Sequence, residues 1–194
     1  SAGKPYTAKT ALATVRNLHA IGVEGVRLSG GETTLRPGLL RAATDALAAY
    51  CLPFSLNSNA AGDVSVIIEI FRRHPAYARF VQVSIDGPGE AHDSMRGRKG
   101  AYAASMRNIR RILKAKVPVT VVSMMHRGWL GREAELFDAL SGAWVRHWAV
   151  ELPVAAGRWR QETAVPEGAS RPPLAGRGWQ EDTDSLALDR QGVE

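Results

Sequence analysis

Short apolar runs alternate with stretches of helical period from Thr7 to Leu152, and this rhythm constrains the fold more than any other property of the chain. Val23–Leu28, Pro53–Leu56, Phe80–Ile85, Val117–Met124 and Trp148–Leu152 read as strands, being short, apolar and mostly bounded by turn residues. Between them, Ala8, Ala11, Leu12, Val15, Leu18 and Ile21 recur at helical spacing, with Thr7 as N-cap and Gly22 just past the end. Pro37 suits the first turn of a second helix that carries Leu39, Leu40, Ala43, Leu47 and Tyr50 on one face. Asp63 caps a helix through Val64, Ile67, Ile68 and Phe71, Gly100 precedes one carrying Tyr102, Met106, Ile109 and Leu113, and Glu133–Leu140 reads as another. Repeated βα units imply parallel strands buried on both faces and joined by right-handed crossovers, which curl a sheet toward a barrel. The expected fold is therefore α/β, an incomplete (β/α) barrel of TIM type with about five strands over residues 1–154.

After Ala155 the pattern stops. Residues 155–194 are rich in Gly, Pro, Arg, Glu and Asp, with Pro166, Pro172 and Pro173 opposing regular structure. Such a segment buries too little apolar surface to offset its chain entropy, so a flexible tail is expected. No apolar run approaches the roughly 20 residues that span a bilayer, and Ser1–Thr7 lacks the apolar core of a signal peptide. A single cysteine, Cys51, excludes an intrachain disulfide and agrees with a reducing compartment. A cytoplasmic protein without membrane contact is the expectation. The net charge of +6 arises from basic residues scattered among acids, and no nucleic-acid-binding motif accompanies it, so no nucleic-acid partner is expected.

Polar and small residues gather at the strand ends. The first strand closes with Ser29-Gly30-Gly31-Glu32, the second with Asn57-Ser58-Asn59, the third with Ser84-Ile85-Asp86-Gly87-Pro88, and the fourth with Ser123 to His126. In a parallel sheet these ends share one rim, where βα folds place their ligands. Two glycines let a ligand approach the backbone, and a glutamate offers its oxygens to an ammonium. A ligand with an amine, a carboxylate and a ribose would suit the set. The residue types also admit plainer readings: a helix-start carboxylate for Glu32, a turn for Ser58-Asn59 and for Asp86-Gly87-Pro88, and a loop hydrogen-bond pair for His92 and Asp93.

Leu28-Ser-Gly-Gly-Glu-Thr-Thr-Leu-Arg-Pro37 resembles the second-strand motif of radical S-adenosylmethionine (SAM) enzymes. Val81-Gln-Val-Ser-Ile-Asp-Gly-Pro-Gly-Glu-Ala-His-Asp-Ser-Met-Arg-Gly97 is similar to their fourth strand and following loop, and Gly100-Ala-Tyr with Val117-Pro-Val119 continues the match. The version resembles the peptide- and protein-modifying, sulfatase-maturase-like (SPASM-type) branch, over roughly Thr7 to Leu152. The resemblance implies an enzyme that reductively cleaves SAM at a [4Fe-4S] cluster. The deoxyadenosyl radical so formed takes a hydrogen from a peptide or protein substrate, with electrons from a reductant protein. It further implies that Gly30, Gly31 and Glu32 bind the SAM amino group and that Ser58 and Asn59 contact the cofactor. Ser84 and Asp86 would then lie near the ribose or methionyl carboxylate, with Arg96 assisting charge neutralisation.

The chain also departs from the family. Three cysteines in a CxxxCxxC loop after the first strand hold the cluster there, because soft thiolates suit iron–sulfur chemistry. Cys51, before the third family strand, does not match that loop and reads as a small buried hydrophobe. Neither a first strand with its cysteine loop nor a cysteine-rich auxiliary domain is present in the sequence, Thr33 replaces the proline after Gly-Gly-Glu, and Ala60 replaces a glycine after Ser-Asn. Two explanations stand: a fragment of a longer enzyme, favoured by the start at the family's first helix, or a degenerate homologue that binds SAM or a partner without radical chemistry. An unrelated phosphate-binding βα barrel would need a glycine loop near the last strands, for which Gly128 and Gly131 are the candidates. Trp144 and Trp148 are expected to pack around the last strand, and Arg72-Arg73 to face solvent at a helix end.

Overall fold

The computed structural model describes residues 6–152; the expected tail of 155–194 lies outside them. The chain runs through α1 (Ala8–Ala20), β1 (Val26–Leu28), α2 (Pro37–Ala49), β2 (Phe54–Ser58), α3 (Ser65–Arg73), β3 (Ala78–Ser84), α4 (Glu90–Met95), α5 (Ala101–Lys114), β4 (Val119–Met124), α6 (Glu133–Gly142) and β5 (His147–Glu151). Local sequence sets the ends of these elements. Thr7 and Thr10 form a reciprocal capping box on α1, and Pro37 opens α2.

The five strands form one sheet in the order β1-β2-β3-β4-β5, every neighbouring pair parallel. A sheet whose spatial order follows the sequence, joined by crossovers of one hand, must carry its helices on one side. The burial pattern agrees. Phe54, Leu56, Val81, Val83, Val119 and Val121 are at most 5% exposed and form one core with Leu47, Ile67, Ile70, Ile109, Ile112 and Leu136 of the helices. The intervening residues Arg27, Asn57, Gln82, Ser84 and Thr120 point to the opposite face and stay half-buried or exposed. The expectation of strands buried on both faces is thus corrected. The helix side is the main apolar layer; the other side mixes the polar Arg27, Asn57, Gln82, Ser84 and Thr120 with the apolar Phe80, which lies under the Arg27 guanidinium, and Val122.

Four sequence readings change at the level of local structure. β1 is three residues long, because Gly22 at φ 78° and the loop to Gly25 delay the strand. β2 runs on to Ser58, so Asn57 and Ser58 belong to the ladder rather than to a turn. Cys51 is exposed, not buried: it stands in the link after α2, at φ 56°, where Sγ accepts the Tyr77 hydroxyl at 3.4 Å. Trp144 is likewise at φ 64° and 76% exposed, whereas Trp148 packs on the core beside the fully buried Trp129, with ring centroids 6.3 Å apart. Arg72 and Arg73 are exposed in the last turn of α3 as expected, where cations suit the helix dipole.

Candidate functional site

The expected site residues lie at the carboxyl ends of β1, β2 and β3 and in the loops that follow. Adjacent strand ends stand about 5 Å apart, so the residues share one rim. They sort into two directly bonded groups.

The first group joins β1 to β2. After Leu28 the backbone passes through Gly30 at φ 151°, and Glu32 then caps a short 3-10 turn, Thr33–Leu35. The half-buried Glu32 carboxylate turns inward. Its Oε1 accepts the Thr34 amide at 3.1 Å, the Thr34 hydroxyl at 2.8 Å and the Ser58 hydroxyl at 2.8 Å. Among the described residues, its Oε2 accepts only the Asn59 amide, at 2.8 Å. A carboxylate oxygen has two lone pairs, so Oε2 keeps one for a further donor. Thr33, in the place of the family proline, donates to the Asn57 carbonyl at 2.8 Å and tightens the same junction. A Cβ built on Gly30 or Gly31 would meet nothing within 4 Å. The space is open, and a cavity of about 520 Å³ lies against α2, lined by Leu28, Gly30, Gly31, Glu32, Arg36 and Leu40. This volume is within the range of small-molecule sites.

The second group fixes the end of β3. Asp86 is 5% exposed and is held on every side. Its amide donates to His92 Nδ1 at 3.0 Å, and His126 Nε2 donates to its carbonyl at 2.7 Å. Its Oδ1 accepts the Met124 amide at 3.0 Å, and its Oδ2 pairs with Arg96 Nη2 at 2.5 Å. Gly87 follows at φ 125° with its Cα against the Trp129 ring. Ser84, two residues earlier, stays half-buried on the polar face of β3.

His92 and Asp93 are not a pair. His92 faces inward from α4 at 1% exposure, and burial together with the Arg96 charge lowers its pKa. Because Nδ1 accepts a hydrogen bond, the neutral ring carries its proton on Nε2, which has no hydrogen-bond partner among the described residues. Asp93 instead accepts the Gly100 amide at 2.5 Å and the Tyr102 amide at 2.7 Å, capping α5; these bonds hold its carboxyl below the usual range. Ser105 and Asn108 of α5, which sequence reasoning did not single out, bind the Asn59, Ala60 and Gly62 carbonyls at 2.7–2.8 Å and fix the loop after β2. Gly128 is no phosphate loop: its amide is turned to His126 Nδ1 at 3.2 Å, and a Cβ there would strike that ring.

These features define a parallel βα protein whose strand tips carry a Gly-Gly-acid turn and a clamped Asp-Gly turn. A family model for the radical SAM superfamily matches residues 1–140, and the chain belongs to that superfamily. It is 31% identical over 147 residues to the sporulation killing factor maturation protein SkfB of Bacillus subtilis, a match covering 74% of this chain and 35% of SkfB. It is 31% identical over 111 residues to the PqqA peptide cyclase of Methylorubrum populi, covering 56% of this chain and 28% of that enzyme. Among solved structures, SuiB of Streptococcus suis bound to SAM superposes with a TM-score of 0.64 at 16% identity, over 79% of this chain and 35% of SuiB. The chain thus spans about a third of the length of these relatives.

Proposed function

We propose that this chain forms the SAM-binding part of an enzyme that modifies a peptide or protein by reductive cleavage of SAM at a [4Fe-4S] cluster. The reading rests on the superfamily membership and on the names of two relatives, a maturation protein and a peptide cyclase. The single observation that carries its SAM-binding half is the inward Glu32 carboxylate with an open lone pair on Oε2 beside two unobstructed glycines. There the SAM ammonium is taken by Glu32 Oε2, and the Gly30-Gly31 backbone lies close against the methionyl group. Ser58 and Asn59 hold Glu32 from behind and edge the cofactor. Ser84 lies toward the ribose, and Asp86 with Arg96 answers the methionyl carboxylate. SAM supplies the carbon–sulfur bond whose reductive cleavage starts hydrogen abstraction from the substrate.

The cluster does not fit the residues present. The sequence holds one cysteine, and Cys51 sits exposed on the link into β2, at the end of the sheet opposite the rim. Three thiolates for a cluster must come from sequence outside these 194 residues. In the proposal the chain is accordingly one part of a longer enzyme. A second reading, a degenerate homologue that binds SAM without radical chemistry, draws on Ala60, which occupies a left-handed position at φ 52° where the family carries glycine.

Calorimetric titration of SAM into the purified chain tests the binding half. Saturable binding of one SAM per chain, weakened by Gly31→Val, supports it; no heat and no change of melting temperature with SAM overturn it. Anaerobic iron–sulfide reconstitution of the longest in-frame polypeptide from the natural locus tests the rest. About four iron and four sulfide per chain are expected, and a colourless, iron-free product defeats the radical reading in favour of the second.

A further inference from the structure

We propose that the outer face of α3 and α5 is a docking surface for an acidic stretch of this same chain, Glu181–Asp189. The inference is independent of the SAM-binding reading. The last turns of both helices lead back to the strand starts, so this face reaches the end of the sheet opposite the rim and its occupant leaves the rim open.

The fold gathers cations that the sequence scatters among acids. On α5, Arg107, Arg110, Arg111 and Lys114 recur at spacings of three and four, so they form one exposed stripe, and the helix carries no acid to answer them. Like charges at these spacings destabilise a helix. The helix dipole favours Arg111 and Lys114 in the last turn but not Arg107 and Arg110. Arg72 and Arg73 end α3, and together with Arg111 they line a groove of about 570 Å³. The one carboxylate lining that groove, Glu69, is already taken by Arg41 in a two-pronged fork at 2.8 and 2.6 Å. Arg72, Arg107, Arg110 and Lys114 form no ion pair among the described residues. None of the exposed large apolar side chains belongs to α3 or α5, so the face suits carboxylates and lacks the apolar anchors of a lipid-binding helix.

The sequence after Leu152 supplies the complement. Between Gly178 and Asp189 it carries Glu181, Asp182, Asp184 and Asp189 and no base. Residues 153–180 can span up to about 90 Å, ample to bring these acids from the end of β5 to the groove. Single surface ion pairs are weak, so the dock needs several acting together. A tethered partner also needs only modest affinity, because its effective concentration is on the order of millimolar.

Zero-length carbodiimide coupling of the full chain, read by mass spectrometry, tests the dock. The carboxylates of Glu181, Asp182 and Asp184 are expected to join Lys114 or Lys116 within one chain, about fivefold or more over the equally exposed Lys9 and Lys99. The triple variant Arg107→Gln, Arg110→Gln and Arg111→Gln keeps both acceptor lysines and should bring the four lysines to parity. Even coupling to all four in the unaltered chain, no coupling, or a preference that survives the triple variant overturns the proposal. Cross-links between isotope-labelled and unlabelled chains in a mixture, in place of those within one chain, overturn it in favour of a second copy. If the triple variant does not fold, salt decides: the preference should vanish at about 0.5 M salt, where screening acts within a few ångströms, and its persistence there overturns the dock.

Discussion

The Glu32 carboxylate accepts the Ser58 hydroxyl at 2.8 Å across 26 residues of sequence, and so ties the turn after β1 to the tip of β2. The same carboxylate takes the Asn59 amide and the Thr34 amide and hydroxyl. One side chain therefore shapes two loops of the rim before any ligand arrives. Its plain reading as a helix-start carboxylate is partly right, since it does cap the turn at Thr33–Leu35, yet that capping is only one of its tasks.

Glu32→Ala should consequently cost folding stability as well as SAM binding. It strands the Asn59 and Thr34 amides and the Ser58 hydroxyl at a half-buried junction, a loss of about 2–3 kcal/mol. Ser58→Ala removes one of these partners and also strands the Ala60 amide, which the Ser58 hydroxyl accepts at 2.9 Å, and should cost about 1–2 kcal/mol. In urea denaturation the double variant should lose less than the sum of the two single losses, because the residues share one interaction, yet more than Glu32→Ala alone, because the Ser58 hydroxyl also accepts the Ala60 amide at 2.9 Å. Additive losses would show that the junction is not held by this bond.

Ala60 offers a gain. It is 1% exposed and sits at φ 52°, where a Cβ crowds the following carbonyl. Ala60→Gly should raise stability by about 1 kcal/mol, the relief of the left-handed strain exceeding the extra entropy of glycine in the unfolded chain. A raised urea midpoint at unchanged slope confirms it; a lowered one would mean that the Cβ contributes more to the core than it costs in backbone strain.

The sheet, its parallel sense and the rim position of the glycine and acid motifs were legible because each follows from local pattern: apolar runs of strand length, helical spacing between them, and turn residues at strand ends. What holds the rim was not. Ser58 reaches Glu32 over 26 residues, and His126 reaches the Asp86 carbonyl over 40, distances at which spacing says nothing about contact. Cys51 and Trp144 were misplaced for a different reason. Their hydrophobicity argues for burial, but both stand in the short links that follow α2 and α6, where helical spacing no longer tells which side a residue faces. The polar alternates of the strands, Asn57, Gln82, Ser84 and Thr120, carried the signal that one face of the sheet is not a helix interface; expecting two buried faces overlooked it.

Gly87 and Gly89 flank Pro88, both with positive φ, and should respond differently to the same change. A Cβ on Gly87 would stand 2.9 Å from two atoms of the buried Trp129 ring and 3.0 Å from the Ala91 Cβ, whereas one on Gly89 meets nothing within 4 Å. Gly89, at φ 53° and ψ −117°, lies outside the left-handed helical region, so Gly89→Ala should cost about 2 kcal/mol through backbone strain alone. Gly87→Ala adds a steric clash against an immobile indole and should cost about 2 kcal/mol more. Equal losses in thermal or urea unfolding would mean that Trp129 yields.

Acid should loosen the Asp86 turn before it affects the carboxylates. His92 accepts the Asp86 amide only while neutral, and burial, then Arg96, lower its pKa, with Asp86 and Asp93 opposing. A base whose folded pKa lies below the unfolded value of about 6.5 stabilises the fold fully above that value. The contribution is lost as pH falls below about 6.5 and through the depressed folded pKa, because the unfolded chain binds the proton first. Melting temperature should therefore fall between pH 7.5 and pH 5, a window above the usual range of Asp and Glu. His92→Asn keeps an acceptor near the Nδ1 position and cannot titrate, so its melting curve should be flatter across this window even if its stability at pH 7.5 is lower. An unchanged slope would place the acid sensitivity elsewhere. Asp93, held low by the Gly100 and Tyr102 amides, should contribute its own loss only below about pH 4, so the two effects separate on the pH axis.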